Sequence, residues 1–114
     1  MSNNFSEVNS LKKLIQINST DVINELVPIN SFAFFKIYPD LVILLLSTKG
    51  FVVYNISNFS NPLKQSYTPI NVDKGDPNRV TELNFKPNIF VFGSSNYGIL
   101  IYNLSDYNNP IIIS

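Results

Sequence analysis

A thirteen-residue stretch occurs twice in this chain, and that repetition restricts the fold more than any other feature. Gly50-Phe-Val-Val-Tyr-Asn-Ile-Ser-Asn-Phe-Ser-Asn-Pro62 returns 48 residues later as Gly98-Ile-Leu-Ile-Tyr-Asn-Leu-Ser-Asp-Tyr-Asn-Asn-Pro110, with no gap between the copies' positions. Laying residues 34–66 over 82–114 gives nine identities in 33 positions: Pro39/Pro87, Ser47/Ser95, Gly50/Gly98, Tyr54/Tyr102, Asn55/Asn103, Ser57/Ser105, Asn61/Asn109, Pro62/Pro110 and Ser66/Ser114. Self-similarity at a period of this size belongs to chains built from stacked units, each burying an apolar face on its neighbour.

The flanks of each copy read as β-strand. Residues 32–38 are aromatic and β-branched, and Pro39-Asp40 then turns the chain. Residues 41–46, 51–56 and 63–68 follow as three more strands, separated by Ser47-Thr-Lys-Gly50 and by the loop 57–62. The same order returns at 80–85, 89–92, 99–104 and 111–113. The predicted units are therefore about 31–68 and 79–114, each a four-stranded antiparallel meander within a single domain over 1–114. Several strands are apolar at consecutive positions, which implies a sheet covered on both faces.

Two segments precede the first unit. Asn9-Ser-Leu-Lys-Lys matches Asn61-Pro-Leu-Lys-Gln, so residues 11–17 are predicted to be the last strand of a preceding unit. Residues 18–30 fit either a connecting loop or a short helix capped by Ser19 or Thr20, carrying Val22, Ile23 and Leu26 and ended by Pro28.

The repeated residues concentrate at turns, where each has a physical job. A glycine opening the third strand supplies the positive φ of a tight turn. The proline of Asn-Pro fixes φ and has no N–H, which suits the start of an outer strand. Asn, Asp and Ser close the loop by bonding nearby backbone groups. Tyr54 and Tyr102 stand mid-strand, where a large ring packs between units.

Gly50–Pro62 and its second copy resemble the LVIVD repeat of bacterial and archaeal β-propeller proteins, a pattern running Gly-Leu-x-Val-x-Asp-Val-Ser-Asp-Pro-x-x-Pro before an outer strand. The glycine, the apolar triplet, the Ile/Leu-Ser pair and the final proline keep their spacing in both copies. Asn55 and Asn103 stand where the family usually has Asp, and Phe59 and Tyr107 replace the first loop proline, marks of a divergent member. The resemblance implies blades: an all-β partial propeller of about two blades plus one N-terminal strand. It also implies a fold with no common catalytic motif, and it allows a cell-surface or secreted parent protein.

Composition narrows the chemistry. The chain has 114 residues, net charge zero and only 14% charged residues, with no basic patch of the kind a nucleic-acid binder carries. It contains no Cys and no His, which removes thiolate metal sites, disulfides and the commonest general base. Neither a Gly-x-Ser-x-Gly elbow nor a phosphate-binding glycine loop occurs. The most apolar run, 41–46, is far short of a membrane helix, and the N-terminus has neither the basic region nor the apolar core of a secretory signal. Asn71-Val-Asp-Lys-Gly-Asp76, with Glu82 beyond it, has some of the oxygen spacing of a calcium loop. Asp76 occupies the glycine position and Pro77 interrupts, so the stretch reads as a polar loop.

The expected function is a non-catalytic repeat module contacting a protein or surface glycan, with no catalytic, cofactor-binding or metal residues and no cofactor. Two alternatives stand beside it: a piece of a propeller enzyme whose catalytic groups lie in other blades, and a structural spacer. Two blades do not close a propeller. Further blades from a longer chain, or from copies of this one, are needed.

Overall fold

The computed structural model describes residues 16–70, 77–94 and 98–113. Most of the predicted strand 11–17, and the polar loop 71–76, lie outside the described residues; Gln16 and Ile17 are not in a strand. The short helix expected as one of two readings is present as a single turn, α1 (Thr20–Ile23). It ends at Asn24, whose left-handed φ of 54° stops it well before Pro28. Ser19 precedes it without capping it: the Ser19 hydroxyl accepts from the Val27 N–H at 2.9 Å, and Leu26 stays exposed.

Eight strands follow. The first sheet contains β1 (Ser31–Phe34), β2 (Leu41–Leu45), β3 (Phe51–Asn55) and β4 (Leu63–Thr68); the second contains β5 (Pro77–Glu82), β6 (Ile89–Ser94), β7 (Gly98–Asn103) and β8 (Ile111–Ile112). Each is a four-stranded antiparallel meander in sequence order. The fold is all-β.

The two sheets share a register as well as an order. Leu41 faces Asn55 and Ile89 faces Asn103; Ala33 faces Ile43 and Thr81 faces Val91; Tyr54 faces Lys64 and Tyr102 faces Ile112. All three pairs are related by the 48-residue offset of the sequence repeat. The turn hydrogen bonds repeat as well. Ile56 N–H donates to the Asp40 carbonyl at 2.8 Å, and Leu104 N–H to the Asn88 carbonyl at 2.7 Å. Asn55 Oδ1 accepts from the Ser57 N–H at 2.9 Å, and Asn103 Oδ1 from the Ser105 N–H at 2.8 Å.

Antiparallel partners point to the same side of a sheet, so each sheet has one face of odd-numbered and one of even-numbered residues around its two middle strands. The first sheet buries its odd face (Leu41, Ile43, Leu45, Phe51, Val53) against the even face of the second (Val80, Phe90, Phe92, Leu100, Tyr102). Phe51 stacks on Phe92 with centroids 4.7 Å apart, and Tyr102 meets both rings edge-on. Fully burying one such side chain is worth about 1.5–3 kcal/mol, so this interface is the main stabilising contact. The even face of the first sheet (Val42, Val52, Tyr54) is covered by Ile17, Val22, Ile23 and Val27. An exposed Lys49–Glu25 ion pair at 3.2 Å pins that cover to the three-residue 3-10 turn Ser47–Lys49.

Most strand ends differ from the expected ones by one or two residues, and two strands are displaced further. Residues 32–38 were expected to be one strand, but β1 ends at Phe34: Phe35 turns into the inter-sheet core, and the Lys36 N–H leaves the ladder for Glu82. The second unit's first strand starts earlier than 80, at Pro77, and ends at Glu82. Gly50 and Gly98 do have positive φ, at 119° and 91°. A Cβ at Gly50 would sit 2.1 Å from the Thr68 carbonyl oxygen, so only glycine fits there. Among the described residues, no helix is long and apolar enough to cross a membrane.

Candidate functional site

The sequence assigns no site residues, and two polar constellations emerge only where the sheets meet. The first centres on Glu82 at the end of β5, which is 7% exposed. Its Oε1 accepts from the Lys36 N–H at 2.8 Å and its Oε2 from the Asn88 N–H at 2.7 Å. The Lys36 ammonium donates to the Leu83 carbonyl at 2.7 Å, and Ser31 Oγ accepts from the Val80 N–H at 3.2 Å. A buried carboxylate bonded by two backbone N–H groups is well compensated. Each oxygen accepts from a turn of a different unit, Lys36 after β1 and Asn88 before β6. Glu82 is a clamp; residues 71–76, which carry the rest of the calcium-like spacing, lie outside the described residues.

Asn88, inside the turn that runs from Lys86 to Ile89, adopts a left-handed φ of 69°, a conformation that asparagine tolerates. Its Oδ1 is buried with no hydrogen-bond partner among the described residues. The same residue positions Leu104 through its carbonyl and Glu82 through its N–H, so its backbone ties three segments together.

The second constellation is an open cleft of about 350 Å³ where the first strands of the two sheets begin, lined by Ile29, Asn30, Ser31, Phe32, Asn78 and Arg79. Asn78 is the extra residue of a β-bulge, since Pro77 faces Ser94 while Arg79 faces Gly93. Bulges re-aim side chains at the ends of pairing, and here the bulge falls within the cleft wall. Phe32 is 59% exposed and packs edge-on against the equally exposed Phe34, with centroids 5.7 Å apart. The cleft thus combines a guanidinium fork, two carboxamides and an apolar wall. A guanidinium holds a carboxylate through paired hydrogen bonds, and the wall holds an apolar face. The arrangement suits binding; it brings together no acid–base pair.

The repeat offset is the one sequence signal that would have found this cleft. Asn30 and Ser31 become Asn78 and Arg79 on adding 48, so the cleft is the same edge position of two consecutive units. Motif spacing within a unit gives no hint of it, because the residues meet only through stacking.

Three tyrosines are perturbed. Burial pushes the Tyr102 phenol up from its ordinary 10, and burial followed by the nearby Asp21 charge does the same for Tyr54. Tyr67 is raised mainly by burial and also by Glu25, against the opposing pull of Lys49; its hydroxyl donates to the Lys49 carbonyl. All three phenols therefore stay neutral below that pH and serve as packing groups.

Fold and site together define an all-β chain of two stacked four-stranded antiparallel sheets with a polar cleft at their shared edge. No family model matches the chain, and comparison with curated proteins and with solved structures gives no match either.

Proposed function

We propose that the two sheets are consecutive blades of a β-propeller of the LVIVD-repeat type, and that the chain is a non-catalytic module binding a protein or surface-glycan ligand. The observation that carries this reading is the identity of strand order and register at the 48-residue offset, combined with odd-on-even face stacking. Units that stack by opposite faces continue in one direction, as blades around a ring do. The Asn-for-Asp departures fit the reading, because Asn55 and Asn103 are used as acceptors, a job either side chain performs. Further blades, from a longer chain or from other copies, complete the ring.

In this reading the cleft at Phe32, Asn78 and Arg79 is the ligand-contacting edge, and a ligand with a carboxylate beside an apolar face complements it. Screening against acidic and neutral oligosaccharides and acidic peptides tests this, with Arg79→Ala and Phe32→Ala as comparators. Acidic ligands are expected to lose at least about tenfold in affinity on Arg79→Ala, the scale of a charge-assisted bond. Binding that ignores both substitutions would remove the cleft from the proposal. Turnover of any ligand would remove the non-catalytic part.

A further inference from the structure

The groups that line the cleft at the start of β1 and β5 differ in what they can bond, and together they narrow what it takes. The side chains of Asn30, Asn78 and Arg79 are exposed and have no hydrogen bond or ion pair among the described residues. Each carboxamide carries two N–H donors and an acceptor oxygen, which suits hydroxyl groups, themselves both donors and acceptors. The Arg79 fork suits one carboxylate. Phe32, more than half exposed, adds an apolar surface beside them. A pyranose ring with a carboxylate has the complementary parts: hydroxyls around its rim, C–H groups on its faces and a single anion. The cleft, about 350 Å³, lies near the small end of the range of ligand pockets, which suits one ring better than a folded segment. The β-bulge makes this wall possible. Consecutive strand residues normally point to opposite faces, yet Asn78 and Arg79 both line the cleft.

An acidic peptide complements the cleft less well. Peptides that dock beside a sheet pair with free main-chain groups at its edge. Here the Val80 N–H is taken by Ser31 Oγ at 3.2 Å, and the Asn30 N–H by the Leu45 carbonyl at 2.9 Å. A run of carboxylates also calls for several cations, and Arg79 is the single charged side chain among the described residues that line the cleft. We infer that the cleft takes one carboxylated sugar residue of an oligosaccharide. Its carboxylate lies on Arg79, its ring hydroxyls on Asn30 and Asn78, and one apolar ring face on Phe32. This inference rests on the cleft being the ligand-contacting edge proposed above, and it does not depend on the number of blades.

Amide chemical-shift titration of the full chain by nuclear magnetic resonance tests it. The probes are trigalacturonate and sialyllactose, their uncharged counterparts (the methyl ester of trigalacturonate, and lactose), and a Glu-rich peptide. At least one acidic sugar is expected to bind and to shift the Ser31, Phe32 and Arg79 amides, with its uncharged counterpart at least about tenfold weaker. Arg79→Ala should abolish that preference and Arg79→Lys should restore only part of it, because an ammonium lacks the fork. Phe32→Ala should weaken acidic and neutral sugars alike, whereas Phe85→Ala, an exposed ring beyond the other end of β5, should change nothing. The substituted side chains are all exposed, and the same spectra report whether each variant keeps the fold. Binding of neither acidic sugar, or equal binding of the charged and uncharged forms, overturns the inference. A peptide that binds more tightly than both sugars and depends on Arg79 also overturns it, while leaving the cleft as the ligand-contacting edge. Sugar binding that ignores both Arg79→Ala and Phe32→Ala overturns the inference together with that assignment of the cleft.

Discussion

The two middle strands of the first sheet are covered on both faces and those of the second mainly on one, although the strands pair in the same order and register. Equivalent positions therefore have unequal surroundings. Phe51 is fully buried and Ile99 mostly exposed; Leu45 is fully buried where Gly93 opens into space. Phe34 is a solvent-facing ring, and Glu82 at the matching position is a buried carboxylate. A repeat transmits strand skeleton and turns, while the energy of each position depends on what is stacked above it. The covered sheet should thus hold most of the stability, and paired substitutions measure the difference.

The largest contrast is expected at Phe51 and Ile99. Phe51→Ala leaves a cavity facing Phe92 and Tyr102 and should cost about 3–5 kcal/mol in urea unfolding. Ile99→Ala, at 57% exposure, should cost less than about 1 kcal/mol. Equal losses would mean that the second sheet is covered in solution. The two turn glycines come next. Gly50→Ala forces a Cβ against the Thr68 carbonyl and the Pro69 Cα and should cost on the order of 3 kcal/mol. Gly98→Ala meets open space and retains only the positive-φ penalty, about 1–2 kcal/mol.

The Phe34/Glu82 pair sharpens the comparison differently. Glu82→Gln turns an NH₂ toward a backbone N–H and should cost roughly 1–3 kcal/mol, because a buried donor loses its acceptor. Phe34→Ala, in solvent, should cost well under half of that. The smallest effect is expected at Tyr54 and Tyr102, where the two sheets should agree. Both phenols hold their protons more tightly when folded, so the stability they contribute is intact below about pH 10 and declines as pH rises further. Tyr54→Phe and Tyr102→Phe should each flatten that alkaline decline in stability measured by urea titration. A decline unchanged in both variants would assign it to other groups.

The strands and turns were legible in the sequence because their causes are local. β-branched and aromatic runs, Gly50 and Gly98, the Asn-Pro pairs and the side-chain acceptors Asn55 and Asn103 all act within a few residues. The shared register was legible too, through the constant offset. The end of β1 was not, because Lys36 is drawn off by Glu82, 46 residues away. Nor was the helix resolved from a loop, since Thr20–Ile23 buries no residue completely and exists as cover for Val42, Val52 and Tyr54. The cleft escaped for the same reason as the clamp: its residues belong to different units, and pattern within a unit carries no information about stacking.

The clamp also imposes an order in time. The bond from Glu82 to Asn88 spans six residues and can form as soon as the β5–β6 hairpin closes, whereas its bond to Lys36 spans 46. During synthesis from the N-terminus the whole first sheet is available before Glu82 exists. The earlier sheet then acts as a ready template on which the later hairpin arrives, with its carboxylate already oriented by Asn88. Hydrogen exchange on ribosome-stalled nascent chains that end before Glu82 should already find β2 and β3 amides protected.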